Sequence, residues 1–258
     1  MANLIPGVSG GTMAVITGIY EELISSISDL MRFKVSKKKL FFLIIVSLGM
    51  VVSIFSLSSL MDYLLKNHEF LTYSFFFGLI IGAIPNITRK MKRVKVISFL
   101  LGLFLVLIPG FPIWKHAQSN PGFPTIILSG YLGIGAMILP GFSGSLLLLI
   151  LGTYDNLISA ISEMDVKFLA IFSLGMILGL LSFVKIIEYA MKKYPMGTKS
   201  FILGLIVGSL YMVNPFKFGG DNFKLDDKTF LSCVVFILLG VMLIISLEKL
   251  ANSLRKSN

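Results

Sequence analysis

Charge is scarce in this chain. Of 258 residues, 23 are Lys or Arg and 13 are Asp or Glu, so 14% are charged, against about 25% in a soluble domain. Cysteine is nearly missing: the single Cys233 lies inside an apolar run, which excludes an internal disulfide and any CxxC metal site. Only two histidines occur, His68 and His116, both in short loops without metal-ligand spacing. No metal and no cofactor are therefore expected. A P-loop GxxxxGK[ST] is also missing from the sequence, so direct use of ATP is not expected.

What the chain has in quantity is apolar side chains: 55% of residues are hydrophobic and 22 are Phe. Charge-free runs occupy 40–61, 70–88, 96–114, 116–154, 168–184, 200–216 and 229–247. A spanning helix needs roughly 20 apolar residues, with ~17 the lower limit. Every run meets that limit, and 116–154 is long enough to enter a bilayer and return. The expected fold is all-α, a polytopic membrane protein.

The basic residues give a topology. Let six of the runs cross once each, and let the segments before residue 30 and at 122–162 enter and return on one side. Arg32, Lys34, Lys37, Lys38, Lys39, Arg89, Lys90, Lys92, Arg93, Lys95, Lys185, Lys192, Lys193, Lys199, Lys249, Arg255 and Lys256 then share a side, 17 of the 23 basic residues. Basic loops stay cytoplasmic, so that side and the C-terminus are expected inside the cell. If 122–162 crossed fully, this bias would collapse. The +10 net charge thus reflects topology rather than nucleic-acid binding, and some of the basic residues are placed to hold anionic lipid headgroups.

The chain contains an internal repeat. Residues 5–28, IPGVSGGTMAVITGIYEELISSIS, align with 139–162, LPGFSGSLLLLILGTYDNLISAIS, at an offset of 134, with 12 of 24 positions identical. After a shift of register the tetrapeptide SLGM at 47–50 recurs at 173–176, and GLI with a second Gly at 78–82 recurs at 204–208. Residues 1–115 and 116–258 are the expected units. Each holds one broken re-entrant segment and three crossings. Three is odd, so the second unit is expected upside down relative to the first. Inverted repeats with discontinuous helices are the architecture of many secondary transporters. Residues 123–138 supply an entering arm for the second hairpin, whereas Pro6 follows Met1 by five residues. The first hairpin is therefore expected to be truncated, its native arm about 15–20 residues longer if the repeats are equal.

Pro and several Gly within an apolar stretch disfavour continuous helix, at ~3 kcal/mol for Pro and ~1 per Gly. Irregular backbone at membrane depth persists only where it is buried in protein or lines a cavity. Pro6, Gly7, Ser9, Gly10 and Gly11, and their counterparts Pro140, Gly141, Ser143 and Gly144, are expected to end one half-helix and begin another. Ser9 and Ser143 stand where N-caps belong. A helix start aimed inward suits an anion. Two such starts, entering from opposite faces, are expected to converge on one phosphate, with the hydroxyls of Ser9, Thr12, Ser143 and Ser145 as neutral donors. Close packing of Gly and Ser is the competing explanation.

Glu21 and Asp155 occupy equivalent positions, each after Tyr. Eleven residues of helix from Gly10 would raise Glu21 by about 16 Å, to the edge of the bilayer. Both acids are candidates for coupling or gating, against the alternative of an amphipathic interfacial helix with Glu21, Glu22, Ser25, Ser28 and Asp29 on its polar face. Arg89, in a basic loop, is a third candidate. Pro85-Asn86 and Asn214-Pro215 are expected to end the second crossing of each unit.

At ANLIPGVSGGTMAVITGIYEELI (2–24) and GAMILPGFSGSLLLLILGTYDNLI (135–158) the sequence resembles a bacterial family of multi-pass proteins associated with polyprenyl-phosphate translocation. The resemblance covers the whole chain, less specifically outside these segments. It implies return of undecaprenyl phosphate, the carrier lipid of wall-polymer synthesis, from the outer to the inner leaflet. It carries a site role to Pro6, Gly7, Ser9, Gly10, Gly11, Glu21, Pro140, Gly141, Ser143, Gly144 and Asp155. The expected activity is a secondary carrier in the cell membrane, not an enzyme. Its expected partners are the polyprenyl-phosphate lipid, other membrane lipids, a coupling proton or cation, no nucleic acid, and a further copy of itself if it forms a homo-oligomer. The alternatives are a transporter or channel for a soluble anion and a membrane lipid-phosphate enzyme.

Overall fold

The computed structural model describes residues 9–89, 91–107, 121–217 and 227–257. Among them the chain is all-helical: α1 (Gly10–Ile16), α2 (Tyr20–Met31), α3 (Lys37–Asn67), α4 (Glu69–Arg89), α5 (Val96–Leu107), α6 (Phe123–Ile138), α7 (Gly144–Ile150), α8 (Tyr154–Ser162), α9 (Val166–Lys193), α10 (Pro195–Met212), a 3-10 turn (Pro215–Lys217) and α11 (Asp227–Ser257). Four segments are long and apolar enough to cross a membrane: Lys37–Leu57, Glu69–Arg89, Val166–Lys193 and Lys228–Leu250. Residues 108–114 of the run 96–114 lie outside the described residues.

Local chemistry sets the helix starts. Ser36 caps α3 by accepting from Lys39 N, and Asp165 caps α9 by accepting from Phe168 N. Ser9 and Ser143 cap α1 and α7, as their positions suggested. Each of these two short helices then breaks at a glycine in the left-handed region, Gly18 at φ +75° and its counterpart Gly152 at +68°. Only Gly enters that region at no steric cost. The break between α7 and α8 bends the path by 109°.

Two sequence expectations need correction here. Residues 10–21 are not one continuous helix, because Thr17 closes α1 and Gly18 turns the chain before α2. Glu21 is therefore not raised on an unbroken rod. Pro85 does not end α4, which continues to Arg89. A proline removes one intrahelical bond, and here it does so near the terminus, where Thr88 Oγ1 adds hydrogen bonds to Ile84 O and Pro85 O, each 3.0 Å. The second pair behaves as expected: α10 stops at Met212 and Pro215 opens the 3-10 turn.

Small residues bring the long helices together backbone to backbone, as helices in lipid pack. α4 crosses α11 where a Cβ on Gly78 would meet Ile237 O at 2.1 Å and one on Gly240 would meet Phe75 O at 2.3 Å. α10 crosses α5 in the same manner, Gly204 against Phe99 O at 2.0 Å and Gly102 against Phe201 O at 2.1 Å. The second long helix of each sequence repeat thus pairs with the last helix of the other. α6 packs on α9 through Gly130, Gly175 and Gly179. Gly49, the counterpart of Gly175, has open space around its Cα, so no described element covers that face of α3.

The largest buried cluster joins α1 and α2 to α4, α9 and α10, with Ile24, Ile80, Val184, Ile206 and Val213 at its centre. Outside, Phe41, Val52, Phe55, Ile97, Phe104, Ile177, Leu231 and Met242 are exposed. Such a broad apolar exterior suits lipid and not water.

Candidate functional site

Ser9–Thr12, the described end of the first PG-x-SG segment and the start of α1, meets residues 138–141 inside the protein. Pro6 and Gly7 lie outside the described residues; from Ser9 onward the geometry is defined. Ser9 is extended (φ −114°, ψ 166°), its Oγ accepts from Thr12 N at 3.2 Å, and its N donates to Thr12 Oγ1 at 3.2 Å. This capping box is turned toward the other copy. Gly141 N donates to Thr12 Oγ1 at 2.7 Å and Ser9 Oγ donates to Leu139 O at 3.3 Å. Tyr20 OH donates to Ile138 O, also at 3.3 Å. Gly11 makes this approach possible, since a Cβ there would lie 2.4 Å from Ile138 O. Gly141, at φ +81°, faces Leu205 O where a Cβ would come within 2.4 Å.

The first bend is consequently closed on itself and on its partner. Ser9 and Thr12 are fully buried, at 1% and 0% exposure, and their hydroxyls are engaged with each other and with residues 139–141. The second bend is open. Ser143 Oγ and Ser145 Oγ lie 2.9 Å apart, and Leu146 N donates to Ser143 Oγ over 3.4 Å. Ser143, Gly144 and Ser145 line one wall of a cavity of about 410 Å³ between α6, α7, α8 and α9. Its other walls are mainly apolar, including Ile134, Leu148, Leu157, Ile161, Phe172 and Met176, with Ser173 and Tyr154 among them. The arrangement offers hydroxyls at one end and a hydrocarbon-like trough beyond, the pattern of a ligand pocket.

The remaining candidates are more peripheral. Glu21 opens α2, with its side chain 64% exposed, and Lys199 Nζ lies 3.1 Å from its Oε1. Asp155 is exposed in the first turn of α8, and Arg89 is exposed in the last turn of α4. Glu21 and Asp155 do not enter the meeting point of the two bends.

Sequence reasoning missed a buried acid. Glu188, near the end of α9, is 5% exposed and receives Ser28 Oγ at 2.5 Å, Arg32 Nη2 at 2.6 Å and Lys192 Nζ at 2.5 Å. It ties α2 to α9, and α2 accordingly turns Ser28, expected on a polar outer face, inward. The available signal was one acid among the lysines that end an apolar run. Nearby, Lys39 donates to Asp29 at 2.6 Å and holds that carboxyl below the usual carboxylate range.

A multi-pass, all-helical membrane protein with two broken helices joined in its interior is the class these features define. Its kinship is specific. The chain belongs to the family described as undecaprenyl phosphate translocase-like, whose profile matches residues 1–230. It is 33% identical over 290 aligned residues to a polyprenyl-phosphate transporter of Vibrio cholerae serotype O1, covering 97% of this chain and 93% of that one. A polyprenyl-phosphate transporter of Staphylococcus aureus is 35% identical over 237 residues, covering 83% of this chain and 82% of the relative. No solved structure matches. Family and relatives alike are named for transport, so the chain is a transporter and not an enzyme.

Proposed function

We propose that this protein carries a polyprenyl phosphate across the cytoplasmic membrane, with the phosphate resting at the Ser143–Ser145 bend and part of the prenyl chain in the adjoining trough. The observation that carries the reading is that one cavity joins two unlike surfaces. Hydroxyls of Ser143 and Ser145 stand at one wall, and the rest is mainly aliphatic and aromatic, with Ser173 and the Tyr154 phenol as further polar groups. A soluble anion has no use for such a trough, whereas an amphiphile matches both ends. The kinship with polyprenyl-phosphate transporters agrees with this ligand, and recycling of the carrier lipid for wall synthesis is the role that follows.

In this reading the two sequence repeats are inverted units around the paired bends. α1–α2 and α6–α8 are the re-entrant elements, and 1–115 and 116–258 the units. The swapped pairing of α4 with α11 and of α5 with α10 is what a two-fold relation in the membrane plane generates. Rocking of one unit against the other exposes the site to each side in turn. The bonds from Thr12 and Ser9 to residues 139–141 then lie at the pivot, where displacement is smallest. The first bend acts mainly as the brace, and the second holds the ligand. A proton or cation moving with the lipid has Glu21 and Asp155 as its candidate groups, and the C-terminus lies on the cytoplasmic side with the basic loops.

The test is reconstitution in liposomes with labelled undecaprenyl phosphate. Leaflet transfer without release of phosphate is the expected result. Release of inorganic phosphate would indicate an enzyme, and ion flux without lipid transfer a channel; either would refute the proposal.

A further inference from the structure

A second cavity, of about 350 Å³, opens beside the first bend on the side of the basic loops. It is walled by the α1–α2 turn, the end of α4, and the junction of α9 and α10. Its charged lining residues are one acid and one base, Glu21 and Lys199, whose Oε1 and Nζ lie 3.1 Å apart. Asn86, Thr198 and Tyr20 add polar groups. Tyr20, a lining residue, donates to Ile138 O beside the second bend, so one side chain links this cavity's wall to that bend.

We propose that Lys199 is a cationic docking residue for the phosphate monoester headgroup at this mouth, and that Glu21 occupies its place until the headgroup displaces it. The inference rests on the transport reading above and adds a second phosphate station to it.

Three observations support the exchange. First, the pair is weak: its side chains are 64% exposed at Glu21 and 32% at Lys199, and a half-exposed pair of this kind shifts an equilibrium by a factor of about five at most. Second, a phosphate monoester carries about −1.5 to −2 charges at neutral pH and three acceptor oxygens, against one negative charge on Glu21, so it is the stronger partner for the same ammonium. Third, the arrangement is not a by-product of the repeat. At the register that equates Gly78 with Gly204, Lys199 corresponds to the buried Tyr73, while Glu21 corresponds to Asp155. Both halves carry the acid, but only this mouth carries the lysine. A cation at one end of an otherwise duplicated path gives a headgroup arriving there a landing place that the other end lacks.

The experiment is calorimetric binding of dodecyl phosphate to the full-length protein in detergent, alongside liposome transport of undecaprenyl phosphate. Lys199→Met is expected to weaken binding about tenfold or more, and Lys199→Arg to retain most of it. Glu21→Gln removes the competitor and is expected to tighten binding severalfold. In the binding assay the double variant is expected to behave as Lys199→Met alone, because Glu21 affects headgroup binding only through the lysine. Unchanged binding in Lys199→Met, or tightening by Glu21→Gln that persists without Lys199, would overturn the assignment. Inorganic phosphate binding as tightly as dodecyl phosphate would assign the site to the free ion and overturn the headgroup claim. Lysine-dependent binding without lipid transfer by the wild type would refute the transport reading while sustaining the binding site.

Discussion

Replacing Thr12 by valine keeps the branched shape of the side chain and removes only its hydroxyl. That oxygen accepts from Gly141 N at 2.7 Å and from Ser9 N at 3.2 Å, and the residue is 0% exposed. Valine would leave the buried Gly141 amide without its partner, a loss of about 1–3 kcal/mol. The Ser9 amide adds roughly 1 kcal/mol more, giving about 2–4 kcal/mol in all. For a chain of 258 residues that corresponds to a fall in Tm of roughly 4–7 °C by soluble-protein scaling. The assay is thermal unfolding in detergent, with Thr12→Ser as the control. Serine keeps the hydroxyl and loses one methyl group, ~0.8 kcal/mol. Thr12→Val is therefore expected to melt well below Thr12→Ser. If the two melt together, Thr12 Oγ1 is not the brace between the bends, and the pivot argument falls with it.

Gly141→Ala places a Cβ at φ +81° and 2.4 Å from Leu205 O; about 1–3 kcal/mol of destabilisation is expected, read from the same melting assay. Ser143→Ala with Ser145→Ala removes the two hydroxyls on the cavity wall, and undecaprenyl-phosphate transport is expected to drop by roughly thirtyfold, at about 1 kcal/mol per lost neutral hydrogen bond. Ser143 also caps α7, so a stability loss of about 0.5–2 kcal/mol accompanies it, and Ser145→Ala alone is the variant expected to leave Tm nearly unchanged. Ser9→Leu and Gly144→Leu are each expected to abolish transport while the chain still inserts into membranes, as followed by protease protection; full transport by both variants would contradict the site. Glu188→Gln weakens the tie of α2 to Arg32 and Lys192 and is expected to lower stability by about 1–2 kcal/mol, because both cations are largely exposed.

Membrane residence, the helical class and the duplication were all legible without coordinates. Each is a property of composition or of self-similarity along the chain: too few charges for a soluble surface, apolar runs of spanning length, and two copies of PG-x-SG at one offset. The N-caps at Ser9 and Ser143 were legible for the same reason, since a capping residue acts on amides two and three positions away. The left-handed breaks at Gly18 and Gly152 were not foreseen, although the same glycine in both copies was the signal for them. The continuation of α4 past Pro85 was misread, because one missing hydrogen bond near a helix end is tolerated where a threonine makes others.

Sequence could not assign roles between two nearly identical bends. Nothing in PGVSGG or PGFSGS says that one hydroxyl set is spent on a brace and the other faces a cavity. That difference arises from which side chain meets residues 139–141 and which meets the gap between α6 and α9. The same holds for Glu188 with Arg32, 156 positions apart, and for Glu21 with Lys199. The chain by itself determined what its segments are, because solvation and backbone preference act locally. Only tertiary structure decided which groups share a space, because hydrogen bonds and ion pairs act over a few ångströms between residues far apart in sequence.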